Sequence, residues 1–261
     1  MENLYDERVS EFFNLYAPDL LLLIAITAVF AGVVKGIVGF AMPMIFITGM
    51  TVFISPDLAL GILILPTLVT NGWQAGRQGF AAAYRALYDH RWFLGMGYSV
   101  LLVTTQMVPL LSQSLFFLCL GVLVVGFASL MLSGWRPKGR SGTGLLIGCA
   151  LVAGVGGGIS GVLGPPTVMY LSTHNLEKQA QMRAQGVIYG LGAILLLMGH
   201  MRSGVATAPA LMLGAFAILP ACFGIWIGFK IQDRINQHVF RMATLSVLIL
   251  AGLNLIRRGV L

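Results

Sequence analysis

Residues 31–43 read AGVVKGIVGFAMP and residues 153–165 read AGVGGGISGVLGP, so one arrangement of small residue, spaced glycines and proline occurs twice at a constant offset of 122. Both copies fall in the middle of a hydrophobic stretch, where an uninterrupted helix would otherwise be expected. Glycine opens backbone angles closed to other residues, and proline removes a backbone donor while suiting the first turn of a new helix. Backbone that leaves the helix at membrane depth survives only where protein buries it or where it lines a wet cavity. A matched pair of such interruptions in two halves of a chain points to a transport site between them.

The rest of the chain supports a membrane setting. Of 261 residues, 57% are hydrophobic and 10% charged, against about 25% charged in soluble domains. Eight hydrophobic blocks follow one another at 18–54, 57–76, 92–110, 113–134, 142–175, 182–200, 205–229 and 238–256. The gaps between them are short and leave no room for a soluble domain. The expected fold is an all-α polytopic membrane protein of two pseudo-symmetric repeats. The first repeat covers 1–134, a basic cytoplasmic linker WRPKGRS covers 135–141, and the second repeat covers 142–261. A further match at nearly the same offset, LFFLCLGVLVVGFASLML from Leu115 against VFRMATLSVLILAGLNLI from Val239, extends the duplication beyond the motif.

The first block of each set is too long for one span. As a single helix rising about 1.5 Å per residue, 18–54 would exceed about 50 Å, against about 40–45 Å for a bilayer with its headgroups. Each should therefore be two helical arms around an irregular centre. If the arms double back, there are ten transmembrane segments, the halves are inverted, both termini lie outside, and the loops at 77–91, 135–141, 174–183 and 230–238 all face the cytoplasm. If they continue, there are eight spans in parallel repeats with both termini inside. The first arrangement gathers slightly more Lys and Arg inside. The stretch RQGFAAAYRALYDHR at 77–91 reads either as an interfacial amphipathic helix or as a solvated basic loop.

Composition and spacing exclude several function classes. The net charge of +7 comes from residues in short connections, such as Arg77, Arg85, Arg136 and Lys138, which is the positive-inside pattern and not a nucleic-acid surface. The start, MENLYDERVSEFF, is acidic and lacks the features of a signal peptide, so it is expected to be retained. Cys119, Cys149 and Cys222 stand alone in apolar spans and support neither disulfides nor a metal site. Asp57 and Glu177 fall at block ends, and His90, His174 and His200 at edges, which leaves little for a proton relay, a metal centre or a catalytic set. No Walker-type loop is present. No cofactor is expected, and the chain does not read as an enzyme.

What remains is anion chemistry. A helix that starts near the midplane presents unpaired N–H groups and a partial positive charge, a combination that binds anions. Pro43 and Pro165 would open the second arms, with Gly36, Gly39, Phe40, Ala41 and Met42 around one break and Gly158, Gly161, Val162, Leu163 and Gly164 around the other. Two facing breaks could hold an oxyanion between them. The alternative for each glycine is close helix packing through small residues. Lys35 is the one basic residue deep in a crossing, where a charge costs about 2.5–3.5 kcal/mol on insertion scales. It either neutralises a bound anion or snorkels to an interface. Asn71, Gln74 and Gln185 could hydrogen-bond the anion or join helices, as could Gln181; Thr70, Thr167 and Tyr189 are weaker candidates, and Gln106 lies near a membrane face.

The paired motifs GIVGFAMP from Gly36 and GISGVLGP from Gly158, the four-plus-four block pattern and the length together resemble the TauE/SafE sulfite exporter family, also called the TSUP family. The resemblance covers nearly the whole chain. It implies a secondary transporter of a small, sulfur-containing oxyanion such as sulfite or an organosulfonate, a multi-pass protein of the bacterial inner membrane. Its partners would be the anion and the lipid bilayer, with homo-oligomerisation left open. The alternatives are a passive anion channel and a membrane-embedded enzyme or assembly subunit.

Overall fold

Each long block breaks at its glycine motif. A computed structural model describes residues 17–134, 142–174, 176–232 and 236–261, and the regular elements among them are helices. Helix α1 (Pro18–Val38) stops at Gly39, whose φ of +85° is left-handed, and α2 (Met42–Met50) restarts with Pro43 in its first turn. In the same way α7 (Thr143–Ser160) stops at Gly161, with φ of +71°, and α8 (Gly164–Ser172) restarts with proline in its first turn. The other helices are α3 (Pro56–Gly76), α4 (Phe80–Asp89), α5 (Arg91–Met107), α6 (Gln113–Leu132), α9 (Lys178–Ser203), α10 (Ala208–Ile231) and α11 (Gln237–Val260). A short 3-10 turn, Val108–Leu110, extends α5. Ser55, Ser112 and Thr207 cap α3, α6 and α10 by accepting from the N–H three residues on, as side-chain oxygens at helix starts do.

The arms double back. Gly49 of α2 lies against Thr27 of α1, and Thr27 precedes the break by about as many residues as Gly49 follows it, so the two arms pack antiparallel. At 9 residues each, α2 and α8 are about 14 Å long, under half of a hydrocarbon core of about 30 Å. Neither crosses. In place of ten crossings, the described residues form eight long helices and two short re-entrant arms. Among the described residues, α1, α3, α5 with its 3-10 turn, α6, α7, α9 and α10 are long and apolar enough to span a membrane. The expected join at 135–141 lies outside the described residues.

Residue pairs across the interfaces fix helix directions. Gly32 and Gly36 of α1 pack on Ala221–Ile225 and Gly228 of α10, so α1 and α10 run parallel. Glycines at four-residue spacing on both faces, Gly32 and Gly36 against Gly224 and Gly228, bring the two backbones together. Helices α5 and α7 also run parallel, Gly97 meeting Ala150 and Thr104 meeting Gly158. Helices α3 and α9 are antiparallel, with Ala75 on Gly186 and Asn71 beside Gly190, and so are α6 and α11, with Leu118 on Gly259 and Val124 on Gly252. Exchanging α1 with α7, α3 with α9, α5 with α10 and α6 with α11 leaves the main pairings unchanged.

This arrangement puts the ends of α3 and α10 and the start of α9 on one face of the bundle, where Gln78 accepts from Arg183 and Gln232 reaches Met182. Helix α4 lies at that face as well. It exposes Phe80, Tyr84 and Tyr88 and buries Ala86. That one-sided aromatic face fits the interfacial reading of 77–91.

Candidate anion site between the two helix breaks

The two breaks meet inside the bundle. Phe40 packs beside Gly164, and Pro43 beside Gly161. Between them is a cavity of about 20 Å³, room for about one water. Lys35, Phe40, Ala41 and Pro43 line it from the first half, Gly161, Val162, Leu163 and Gly164 from the second, with Thr67 and Asn71 of α3 and Tyr189 of α9.

Lys35 is only 1% exposed, so it does not snorkel. Its Nζ donates to Thr70 Oγ1 at 3.0 Å and to Asn71 Oδ1. Thr70 can accept because its own hydroxyl proton goes to the Pro66 carbonyl at 2.7 Å. Both partners are neutral, so nothing in this pair of contacts offsets a buried positive charge. They engage two of the three protons that an ammonium carries. Asn71 Nδ2 and Thr67 Oγ1 are buried without a hydrogen-bond partner. Three polar groups from α1 and α3 thus face the cavity with donor capacity to spare.

The backbone adds to this at the first break. Gly39 and Ala41 both have left-handed φ, +85° and +79°, while Phe40 between them does not. Residues of alternating φ sign turn successive N–H groups to one side, a concavity suited to anions. For Ala41 the left-handed conformation costs about 1–2 kcal/mol, and non-glycine strain of this kind clusters at functional sites. The N–H groups of Phe40, Ala41 and Met42 donate to no backbone carbonyl. They sit where the positive end of α2 begins.

The second break is different. Val162 N–H donates to Gly156 O at 3.3 Å and Leu163 N–H to Gly161 O at 3.2 Å, and Pro165 and Pro166 have no N–H. Only Gly164 keeps a backbone donor at the cavity. Thr167 donates to Leu163 O and Tyr189 to Gly164 O, at 2.8 and 3.1 Å, so both hydroxyls brace the turn. The expectation of two equivalent donor ends is therefore corrected: the first break carries the N–H groups, and the second supplies a wall.

Other candidates are sorted by place. Gly36 and Gly158 do not reach the cavity. A Cβ on Gly36 would meet Ile225 O at 2.6 Å, and one on Gly158 would meet Leu101 O at 2.7 Å, so both are packing glycines. Met42 is buried and its sulfur lies 3.6 Å from the Thr70 hydroxyl. Gln74 and Gln185 lie behind the break, where Gln74 Nε2 donates to Gly39 O at 3.2 Å and Gln185 Oε1 sits in the space a Gly39 side chain would fill. Gln106 donates to Gly199 O and joins α5 to α9. Among the described residues no cluster of His, Cys, Asp or Glu could hold a metal. Two useful residues went unread in the sequence. Thr67 stands one helical turn before Asn71 and could have been found by that spacing; Gln232, at the polar end of α10, gave no signal.

The chain matches the family model for the sulfite exporter TauE/SafE over residues 24–255, and it matches no curated protein and no solved structure. The match takes in both broken helices and nearly the whole helical bundle. This multi-pass membrane protein belongs to the TauE/SafE sulfite exporter family.

Proposed function

We propose that the chain is a secondary transporter that binds one small oxyanion, sulfite or an organosulfonate, at the cavity between the two helix breaks, whose closed, one-water volume widens to admit it. The observation that carries this reading is the buried Lys35 ammonium, held by two neutral side chains beside a partnerless amide nitrogen and three free backbone N–H groups. Such a set is incomplete until an anion completes it. Charge-assisted bonds from Lys35 and the Asn71 amide would hold two oxygens, and the N–H groups at the start of α2 a third.

The antiparallel packing of α3 on α9 and of α6 on α11 supports a reading as two inverted halves, with the repeats at 1–134 and 142–261. Rocking of one half against the other would then expose the site to each side in turn. With the bundle face of Arg77, Arg85, Arg91 and Arg183 in the cytoplasm, both termini lie outside, across a bacterial inner membrane. A cavity of about 20 Å³ supports an occluded carrier over an open pore. The test is counterflow in proteoliposomes: preloaded unlabelled sulfite should drive transient uptake of labelled sulfite above its equilibrium level, whereas dissipation without overshoot would favour a channel.

A further inference from the structure

Beyond the central cavity lies a larger one, of about 230 Å³, opening on the bundle face formed by the ends of α3 and α10 and the start of α9. Arg77, Gln78 and Arg183 stand in its walls, and no carboxylate lines it among the described residues. The two arginines are held with donors to spare. Arg77 lies over the Phe229 ring, 3.9 Å from its centre, which uses the face of the guanidinium and leaves its edge for hydrogen bonds. Arg183 donates through one terminal nitrogen to Gln78, while its Nε is buried without a partner.

The floor of this vestibule is the back of the first break. Gln74 Nε2 bridges Gly39 O at 3.2 Å and Met182 O at 2.8 Å. Gln232 Nε2 donates to Ile37 O at 3.1 Å and lies 2.8 Å from Met182 Sδ. Two side-chain amides therefore tie the Ile37 and Gly39 carbonyls at the end of α1 to Met182 of α9; Gln74 and Gln232 line the vestibule, and Asn71, about one turn before Gln74, lines the Lys35 cavity. A vestibule of about 230 Å³ admits an anion with water still on it, and a cavity of about 20 Å³ does not.

We propose that this basic vestibule is a second anion site, which takes a hydrated oxyanion on the Arg77 and Arg183 guanidinium edges and stages it behind a gate of Gln74, Met182 and Gln232. The proposal rests on the central-site reading, and its test separates the two. A lipid headgroup phosphate shares the chemistry of a soluble oxyanion at such a place; the vestibule's depth, down to the break itself, favours the soluble anion.

The probe is sodium sulfite, titrated by calorimetry into the purified full chain in detergent free of anionic lipid. Two classes of site are expected. The double variant Arg77→Gln/Arg183→Gln should weaken the looser class about tenfold or more, the loss of a charge-assisted bond, and leave the tighter class in place. Arg77→Lys/Arg183→Lys should restore part of it. Should the double variant not fold, Gln78→Glu, which places a carboxylate beside Arg183 without removing either cation, should give the same loss. Lys35→Met should do the reverse, removing the tighter class alone; failure there overturns the central site and not the vestibule. The vestibule proposal is overturned if the looser class is absent, if it survives both sets of substitutions, or if these abolish binding to phosphatidylglycerol vesicles while sulfite binding is unchanged.

Discussion

The Lys35 ammonium donates to the Asn71 side-chain oxygen, which leaves the nitrogen of the same amide without a partner in the wall of the cavity. One residue thus fixes the orientation of the other, since only the oxygen of an amide accepts. Asn71→Asp removes that spare donor and sets a carboxylate against Lys35. The resulting ion pair satisfies the lysine internally. Calorimetric binding of sulfite should weaken at least about tenfold, with thermal stability equal to or above the parent. Unchanged binding would show that the Asn71 amide does not touch the ligand.

At the breaks, the backbone and the available space make different demands. A Cβ on Gly161 would meet only ordinary contacts, the nearest being Leu63 at 3.6 Å, whereas one on Gly39 would collide with Gln185 Oε1. Both positions have left-handed φ, which costs an alanine about 1–2 kcal/mol. Gly161→Ala should therefore destabilise by about that amount, and Gly39→Ala by more. Denaturant midpoints in detergent check the order, and Gly161→Ala falling below Gly39→Ala would contradict it. Valine at either position should abolish transport while the protein still reaches the membrane.

Helix directions give a topology that labelling can read. Single cysteines at Ser112 and Gly204, in a background without Cys119, Cys149 and Cys222, should react with an impermeant maleimide from outside whole cells. Cysteines at Gln78 and Gln179 should react only after the membrane is opened. Labelling of all four from one side would refute the arrangement.

His90, between α4 and α5, is buried against Tyr170, whose hydroxyl lies 3.1 Å from Nδ1, and its ring contacts His174. Burial, and secondarily His174, lower its pKa from 6.5 to about 4. The folded state therefore holds His90 neutral where the unfolded chain would protonate it. The stability this confers is fully present above about pH 6.5, declines as pH falls, and is lost below about pH 4. Melting temperature should fall between pH 7 and pH 4.5, and His90→Gln should flatten that fall. An equal fall in the variant would assign the effect to other groups.

Much of this was legible in the sequence because membrane helices announce themselves by length and hydropathy. The eight blocks correspond to the long helices with their arms, and the Gly39 and Gly161 breaks stand where the duplicated motif put them. Legibility failed where the same residue type serves two purposes. Gly36 and Gly39 read alike in GIVG, yet one packs on α10 and the other turns the chain; only φ and the neighbour tell them apart. The unequal donor supply of the two breaks was hidden too, since it depends on Val162 and Leu163 folding back on their own helix. Lys35 was visible as an anomaly, but its partners Thr70 and Asn71 lie 35 and 36 residues away, a distance that no local pattern spans.

The most direct test of the central claim is sulfite binding to Lys35→Met by isothermal titration calorimetry, in protein shown to be folded and monodisperse. The substitution keeps the apolar stem and removes the charge. Loss of the tight site, with partial recovery in Lys35→Arg, is the predicted result; tight binding equal to the parent would contradict the account and leave the backbone N–H groups of the first break to hold the anion alone.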